Sequence, residues 1–306
     1  MTERLAAETQ RAATALPVVL DLGYLRARDL PSVGGKAANL GELISIGMPV
    51  PPGFAITTSA YDAVVAVNGL DSLLAHAADT GDGTAVRAAF ASSEIPEHIV
   101  TAVLAAYQAM GSGSVAVRSS ATAEDLPGAA FAGQQDTLLG IRDEVALLKA
   151  IRQCWGSLWS DRAISYRQQR GFANEQVALA VVVQRMVAAD AAGVMFTANP
   201  VTGARNQTVV DASTGLGEAI VSGLVTPDHF VLQRNRLGWR VIEQQRGDRS
   251  VEIRESISGG IEHVAGSDHA APALPISEVK RLAQLGERIA AHFGTCLLYT
   301  SDAADE

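Results

Sequence analysis

Residues 177–197 read VALAVVVQRMVAADAAGVMFT. Val177 to Val183 is an unbroken apolar run rich in β-branched residues, the pattern of a buried strand. Gly193 to Thr197 reads as a second strand. Between them, Gln184 to Ala192 predicts a hinge, which would place a cleft between two lobes. Upstream of the hinge the sequence is mostly helical. Lys36 to Ile46 has apolar residues at helical spacing and stops at Gly47. Phe54 to Thr57 reads as a strand, and Thr58 or Ser59 caps a helix through Val67. Residues 84–110 read as helical with a break near Pro96. Ser114 to Ser119 is a strand. Asp143 to Arg170 predicts one long helix with a stripe of Val145, Leu148, Ile151, Trp155, Leu158 and Trp159. Downstream, strands are expected at Thr208 to Val210, His229 to Arg234 and Trp239 to Glu243, before a helix from Ser277 to Phe293. Helices first and strands later predict two α+β lobes rather than an alternating parallel sheet.

The bulk properties narrow the function classes. Apolar residues make up 48% and charged ones 19%, ordinary usage for a folded domain. A net charge of −9 argues against a general nucleic-acid or anionic-membrane surface. It leaves room for a local positive pocket. The two cysteines, Cys154 and Cys296, have no metal-like spacing, so a reducing cytoplasm is the expected location. No apolar run reaches the length of a membrane span. Residues 1–20 read as an N-terminal tail, not a secretory leader.

Five segments could carry chemistry. In Gly34-Gly35-Lys36 the glycines let backbone N–H groups approach a phosphate, and a helix N-terminus and the Lys36 ammonium add positive charge. The plainer alternative is a tight turn with Lys36 in solvent. Arg118 ends an apolar strand, where its guanidinium could grip phosphate oxygens in a bidentate way, with Ser119, Ser120 and Thr122 adding hydrogen bonds. The alternative is an ion pair with Glu124 or Asp125. Residues 125–137, rich in small side chains around Phe131, have the look of a lid over phosphates, with Gly133 open to a backbone contact. Gln184 to Val187 could hold an adenine by backbone hydrogen bonds, although Met186 is also ordinary core. Asp211 and Glu218 flank the glycine-rich turn 211–218 and are hard oxygen donors. Capping of the following helix by Ser213 or Thr214 is the competing account. Trp155 and Trp159 read as core, and His229 as structural.

Each signal is modest, but their order is distinctive. GGKAANLGEL, VPPGFAIT, VAVRSSATAEDLPGAAFAGQQDT, CWGSLWSDRAISYR, VVVQRMV, GVMFTANPVTG and DASTGLGEAIVSGLVTPDHF together resemble the N-terminal domain shared by phosphoenolpyruvate synthase, pyruvate phosphate dikinase and rifampicin phosphotransferase. The resemblance runs from Leu22 to Gly294. It implies an ATP-grasp fold whose two lobes, 21–186 and 187–295, clamp Mg-ATP. It implies catalytic phosphate contacts from Lys36 and Arg118. Gly35, Ser119, Gly133, Thr137, Gln184 and Glu218 complete the expected cofactor-binding set. In such enzymes ATP is split to AMP and phosphate, and a histidine on a separate domain carries the β-phosphoryl group to an acceptor bound by another domain. Those two domains are the expected partners. A non-catalytic nucleotide-binding module and the ATP domain of a glucan dikinase are the competing classes.

After Gly294 the sequence departs from the family pattern. A proline, a strand of the type Asp-Ile-Glu-Trp and then Gln-x-Arg-Pro are expected, and these would bring the principal Mg²⁺ ligands. Residues 296–306 instead read as the translation of a sequencing adapter, TGT CTC TTA TAC ACA TCT and onward. The second lobe is therefore expected to be incomplete, and this chain to bind Mg-ATP weakly without turnover.

Overall fold

The computed structural model describes residues 17–122, 137–170, 177–266, 271–294 and 298–299 of the 306. The first lobe runs β1 (Val19–Asp21), α1 (Leu30–Ser45), β2 (Gly53–Ile56), α2 (Thr58–Val67), α3 (Asp71–Thr80), α4 (Thr84–Ser92), α5 (Glu97–Ala109), β3 (Val115–Ala121), β4 (Thr137–Ile141), α6 (Glu144–Ser157), α7 (Asp161–Arg170) and β5 (Leu179–Arg185). Its strands lie in the order β1-β2-β5-β3-β4, every neighbouring pair antiparallel. One face of this sheet builds the main core, where Val115, Val117, Val181 and Val183 meet Phe90, Ile99, Ile151, Trp155 and Trp159 from the helices. The other face is covered in part by α1, which sets Val33, Ala37 and Leu40 on Ala55 and Val182.

The second lobe runs β6 (Ala191–Phe196), β7 (Gln207–Thr214), α8 (Glu218–Val221), β8 (Asp228–Asn235), β9 (Gly238–Gln245), β10 (Val251–Glu255), β11 (Ile261–Ala265), α9 (Ile276–Phe293) and β12 (Leu298–Tyr299). Its main sheet has the order β12-β6-β7-β8-β9, and β10 and β11 form a separate antiparallel pair. α9 lays Val279 and Ala283 on Val210, Phe230 and Leu232. Antiparallel sheets with helices segregated to their faces give an α+β protein, as the distribution of helix and strand signals predicts. No described helix is long and apolar enough to cross a membrane.

Several elements differ from the sequence reading. The single helix expected over 143–170 is two, because Leu158 to Ser160 break it. Ser160 then caps α7, its Oγ accepting from the Ala163 amide at 3.2 Å. The carbonyls freed at the break are taken by arginines: Arg167 donates to Leu158 at 2.7 Å and Arg87 to Trp159 at 2.8 Å. The apolar stripe is shifted too. Val145 is exposed, while Leu147, Ile151, Cys154 and Trp155 are buried. The residue before α2 is Thr57, so neither Thr58 nor Ser59 is the cap. Asp211 to Thr214 belong to strand β7 and not to a turn, and the residue before α8 is Gly217. That position rules out Ser213 and Thr214 as its caps.

A buried ion pair ties β8 to the β10 approach. Asp228 and Arg249 are almost fully buried, with Arg249 Nε 3.6 Å from Asp228 Oδ1. Asp228 also accepts from the Gly247 amide at 2.9 Å and from the Ala273 amide at 2.6 Å. Arg249 donates to the Ala271 carbonyl.

Among the described residues, the lobes meet in two regions. The β10–β11 turn docks on β4: Gly260 N–H donates to the Gly140 carbonyl at 2.8 Å, and Arg142 meets Glu255 at 2.6 Å. The C-terminal half of α9 grips the far end of α1: His292 lies 3.0 Å from Glu42, and Arg288 donates to the Ile46 carbonyl at 3.0 Å. The Ala27 amide, and after it His292, hold the Glu42 carboxyl below its ordinary 4.5, against an opposing effect of burial. A depressed carboxyl stabilises the folded state above its unfolded value and loses that contribution as pH falls through the folded one. Glu42→Gln is therefore expected to lower the melting temperature at neutral pH. The deficit should fade in acid, below about 4.3. A deficit that persists unchanged in strong acid would contradict this account.

Candidate functional site

Strand alternation sorts the residues of β3. Val115, Val117 and Ala121 point into the helix-packed core. Ala116, Arg118 and Ser120 therefore take the opposite face, the one that α1 partly covers. Ser120 makes the junction: its Oγ donates to the Val33 carbonyl at 2.8 Å and accepts from the Ala37 amide at 3.3 Å. Gly34 makes that contact possible. Its φ is +71°, and a Cβ there would lie 2.2 Å from the Ser120 carbonyl oxygen. Gly34 is also a non-helical residue inside α1, so the regular helix starts anew at Gly35 and Lys36.

The consequence is that the restarted N-terminus of α1 meets the strand that carries Arg118. The restarted N-terminus of α1, carrying Lys36, sits at Ser120, two residues beyond Arg118 on the same face. Thr137 opens β4 directly opposite Arg118, and Val182 of β5 lies on the other side. Gln184 shares this face through its pairing with Ala116. Its side-chain amide donates to the Pro51 carbonyl at 3.1 Å. Lys36, Arg118, Thr137 and Gln184 thus occupy one face of one sheet, and Gly35 is buried in the turn that presents Lys36.

Ser119 is not brought to them. Its register partner is Val181, and it is buried on the core side, so Ser120 is the serine on the Arg118 face. Gly133 lies outside the described residues. Glu218 stands in the first turn of α8 on the second lobe, next to the Gly215–Gly217 turn that pairs with Ile253 of β10. Asp211 is not placed as a free oxygen donor. Its Oδ1 lies 2.6 Å from His229 Nδ1 across β7 and β8, which gives His229 a structural partner. Among the described residues no group of three or more His, Cys, Asp or Glu side chains gathers to hold a metal.

The link between the lobes, Met186 to Asp190, borders a cavity of about 560 Å³. Val187, Ala188, Ala189, Thr214, Leu216 and Glu252 line it, with Arg142, Arg254 and Glu255 at its charged side. Met186 packs below with Leu139, Leu216 and Ile253. Its place in this apolar cluster fits the ordinary-core reading. The volume suits a nucleoside-sized ligand. The expected hinge segment borders this cavity, whereas Thr214 and Glu252 were missed as wall residues because they are distant in the chain. The only local signal was the alternation of Glu252 and Arg254 around apolar Ile253.

The sequence profile described as "Pyruvate phosphate dikinase, AMP/ATP-binding domain" matches residues 30–298. This chain belongs to that family. Rifampicin phosphotransferase of Streptomyces sviceus is 41% identical to it over 290 residues, covering 90% of this chain and 33% of the relative. The Bacillus subtilis rifampicin phosphotransferase is 40% identical over 291 residues, with 90% and 33% covered. Phosphoenolpyruvate synthase of Aeropyrum pernix is 37% identical over 305 residues, with 86% and 37% covered. The chain thus spans little more than a third of the length of these curated relatives. The expected ATP-binding domain of the phosphoenolpyruvate synthase and rifampicin phosphotransferase family is what the comparisons give.

Proposed function

We propose that this chain is the ATP-grasp domain of a phosphotransferase that splits ATP to AMP and phosphate. Lobes 21–186 and 187–295 close on Mg-ATP, with the base at the 186–190 linker. The remaining domains of the full-length protein supply a carrier histidine, which takes the β-phosphoryl group, and a pocket for the acceptor, pyruvate or a rifamycin. The tail expected over 1–20 is shorter than that, because Val19 and Leu20 already pair with β2, and Leu298 and Tyr299 of the segment 296–306 pair with β6. The short strand β12 pairs with β6 at the edge of the second-lobe sheet.

One observation supports the reading: the Ser120–α1 junction ties the restarted N-terminus of α1, which carries Lys36, to the strand that carries Arg118. Phosphoryl transfer needs little covalent help from protein. It needs positioning and neutralisation of a polyanion, and a helix N-terminus, an ammonium and a bidentate guanidinium supply both. Gly35, Gly133, Thr137 and Gln184 complete the proposed contacts, and Glu218 is kept as an outer one. Ser119 is retained only as a buried support beneath Arg118.

Hydrogen bonds to charged groups are worth about 1.5–3 kcal/mol. Arg118→Ala is therefore expected to weaken ATP binding by roughly 10- to 100-fold. Lys36→Ala should have a smaller effect of the same sign. Calorimetric titration with Mg-ATP reads both. Unchanged affinity in Arg118→Ala, with the fold intact, would remove the basis for this site.

A further inference from the structure

α1 restarts at Gly34 without a cap of its own. An N-cap side chain normally accepts from an amide two or three residues into the helix. Gly34 holds that position, with φ +71° and ψ 169°, and has no side chain to offer. None could be added, because a Cβ there would lie 2.5 Å from Ser120 Oγ and 2.2 Å from the Ser120 carbonyl oxygen. The bond is made from a distant strand instead. Ser120 Oγ accepts from the amide of Ala37, the third residue of the restarted helix, at 3.3 Å. It donates to the carbonyl of Val33, the last residue before the break, at 2.8 Å. One hydroxyl thus serves the end of one helical segment and the start of the next, and both are places where backbone groups lack internal partners.

Ser120 makes a fixed reference point. It is fully buried and lies on a strand with neighbours on both sides, opposite Ala180 of β5. Two residues earlier the same strand carries Arg118, and the turn that Ser120 caps carries Lys36. The hydroxyl therefore sets the spacing between the backbones that bear the two cations. The body of α1 is held separately. Gly41 lies against the Leu25 backbone, where a Cβ would come 2.3 Å from the Leu25 carbonyl oxygen. Loss of the Ser120 bonds thus frees the first turn and not the whole helix. We propose that Ser120 is a positioning residue for nucleotide binding, which caps α1 from β3 and so holds Lys36 in place relative to Arg118. This deepens the phosphate-site reading above and rests on it.

The test is calorimetric titration with Mg-ATP on wild type, Ser120→Ala, Lys36→Ala and the double variant. Ser120→Ala is expected to weaken binding by about three- to tenfold, the usual scale for a lost helix cap. With Lys36 already replaced, the same change should cost less than about twofold, because residues that act through one another do not add. Combined instead with Gln184→Ala, on a neighbouring strand, it should cost its full factor. A general loosening of the lobe would weaken binding equally in all three backgrounds. Melting curves show which variants fold. Ser120→Cys, close in shape with a weaker donor, carries the same comparison if Ser120→Ala does not fold. If Lys36→Ala binds like wild type, or if the Ser120 factor is absent or the same with and without Lys36, the assignment is overturned. A remaining effect of Arg118→Ala then leaves the phosphate site standing. If neither Lys36→Ala nor Arg118→Ala weakens binding, both readings fall together.

Discussion

Gly34→Ala is expected to destabilise the protein by about 3 kcal/mol or more and to remove most of its ATP affinity. Two costs add. The first is conformational: φ is +71°, and an L-residue held in the left-handed region loses about 1–2 kcal/mol. The second is steric: the new methyl would lie 2.2 Å from the Ser120 carbonyl oxygen and 2.5 Å from its carbon, and both are backbone atoms that cannot rotate away. Either β3 or the start of α1 must move. Any movement loosens the two hydrogen bonds at the Ser120 hydroxyl, each worth about 1 kcal/mol. It also takes Lys36 away from Arg118. Gly47 provides the control, since its φ is also +71° but an added Cβ meets nothing within 4 Å. Gly47→Ala should therefore show the conformational cost alone and leave ATP binding intact. Equal denaturation midpoints for the two variants would show that the contact with Ser120 does not matter.

Asp228→Ala should cost a similar or larger amount, about 3–5 kcal/mol, by a different route. The substitution leaves the Arg249 guanidinium buried without its counter-charge, and strips the acceptor from the Gly247 and Ala273 amides. Asp228→Asn keeps an oxygen for one of these amides and should lose less. The contrast is with the exposed Arg234–Glu287 pair on the same lobe, where Glu287→Ala should change stability by less than about 1 kcal/mol. Urea denaturation of the three variants orders them. A value for Asp228→Ala near that of Glu287→Ala would mean that water reaches Arg249.

The sequence carried the outline of the site because its main devices are local. Two glycines before a lysine, and an arginine closing an apolar strand, keep their meaning without tertiary context. The register of β3 was not applied, although the residues allow it: Val115 and Val117 belong to the core, so Ser119, expected among the cofactor contacts, follows them and Ser120 joins Arg118. The break between α6 and α7 was hidden for a physical reason. Trp155 and Trp159 are both buried, so the apolar spacing continues across Leu158 to Ser160 although the backbone does not. The hinge wall was hidden by topology. Nothing local to Thr214 or to Glu252 announces that a glycine bridge brings the two together. The β10–β11 pair escaped notice because residues such as Arg254, Glu262 and His263 face solvent and weaken the alternation that marks a strand.

From its restart at Gly35, α1 runs to Ser45, a length of roughly 16 Å. Its first turn presents Lys36, while its last turns are held by His292 and Arg288 of the opposite lobe. The helix therefore works as a lever arm across the domain. On the proposed phosphate site, a tilt of the second lobe on the 186–190 linker would act through Glu42 and Ile46 on the end of the helix that carries Lys36. Loosening the grip at His292 is then expected to speed nucleotide dissociation without touching the ligand.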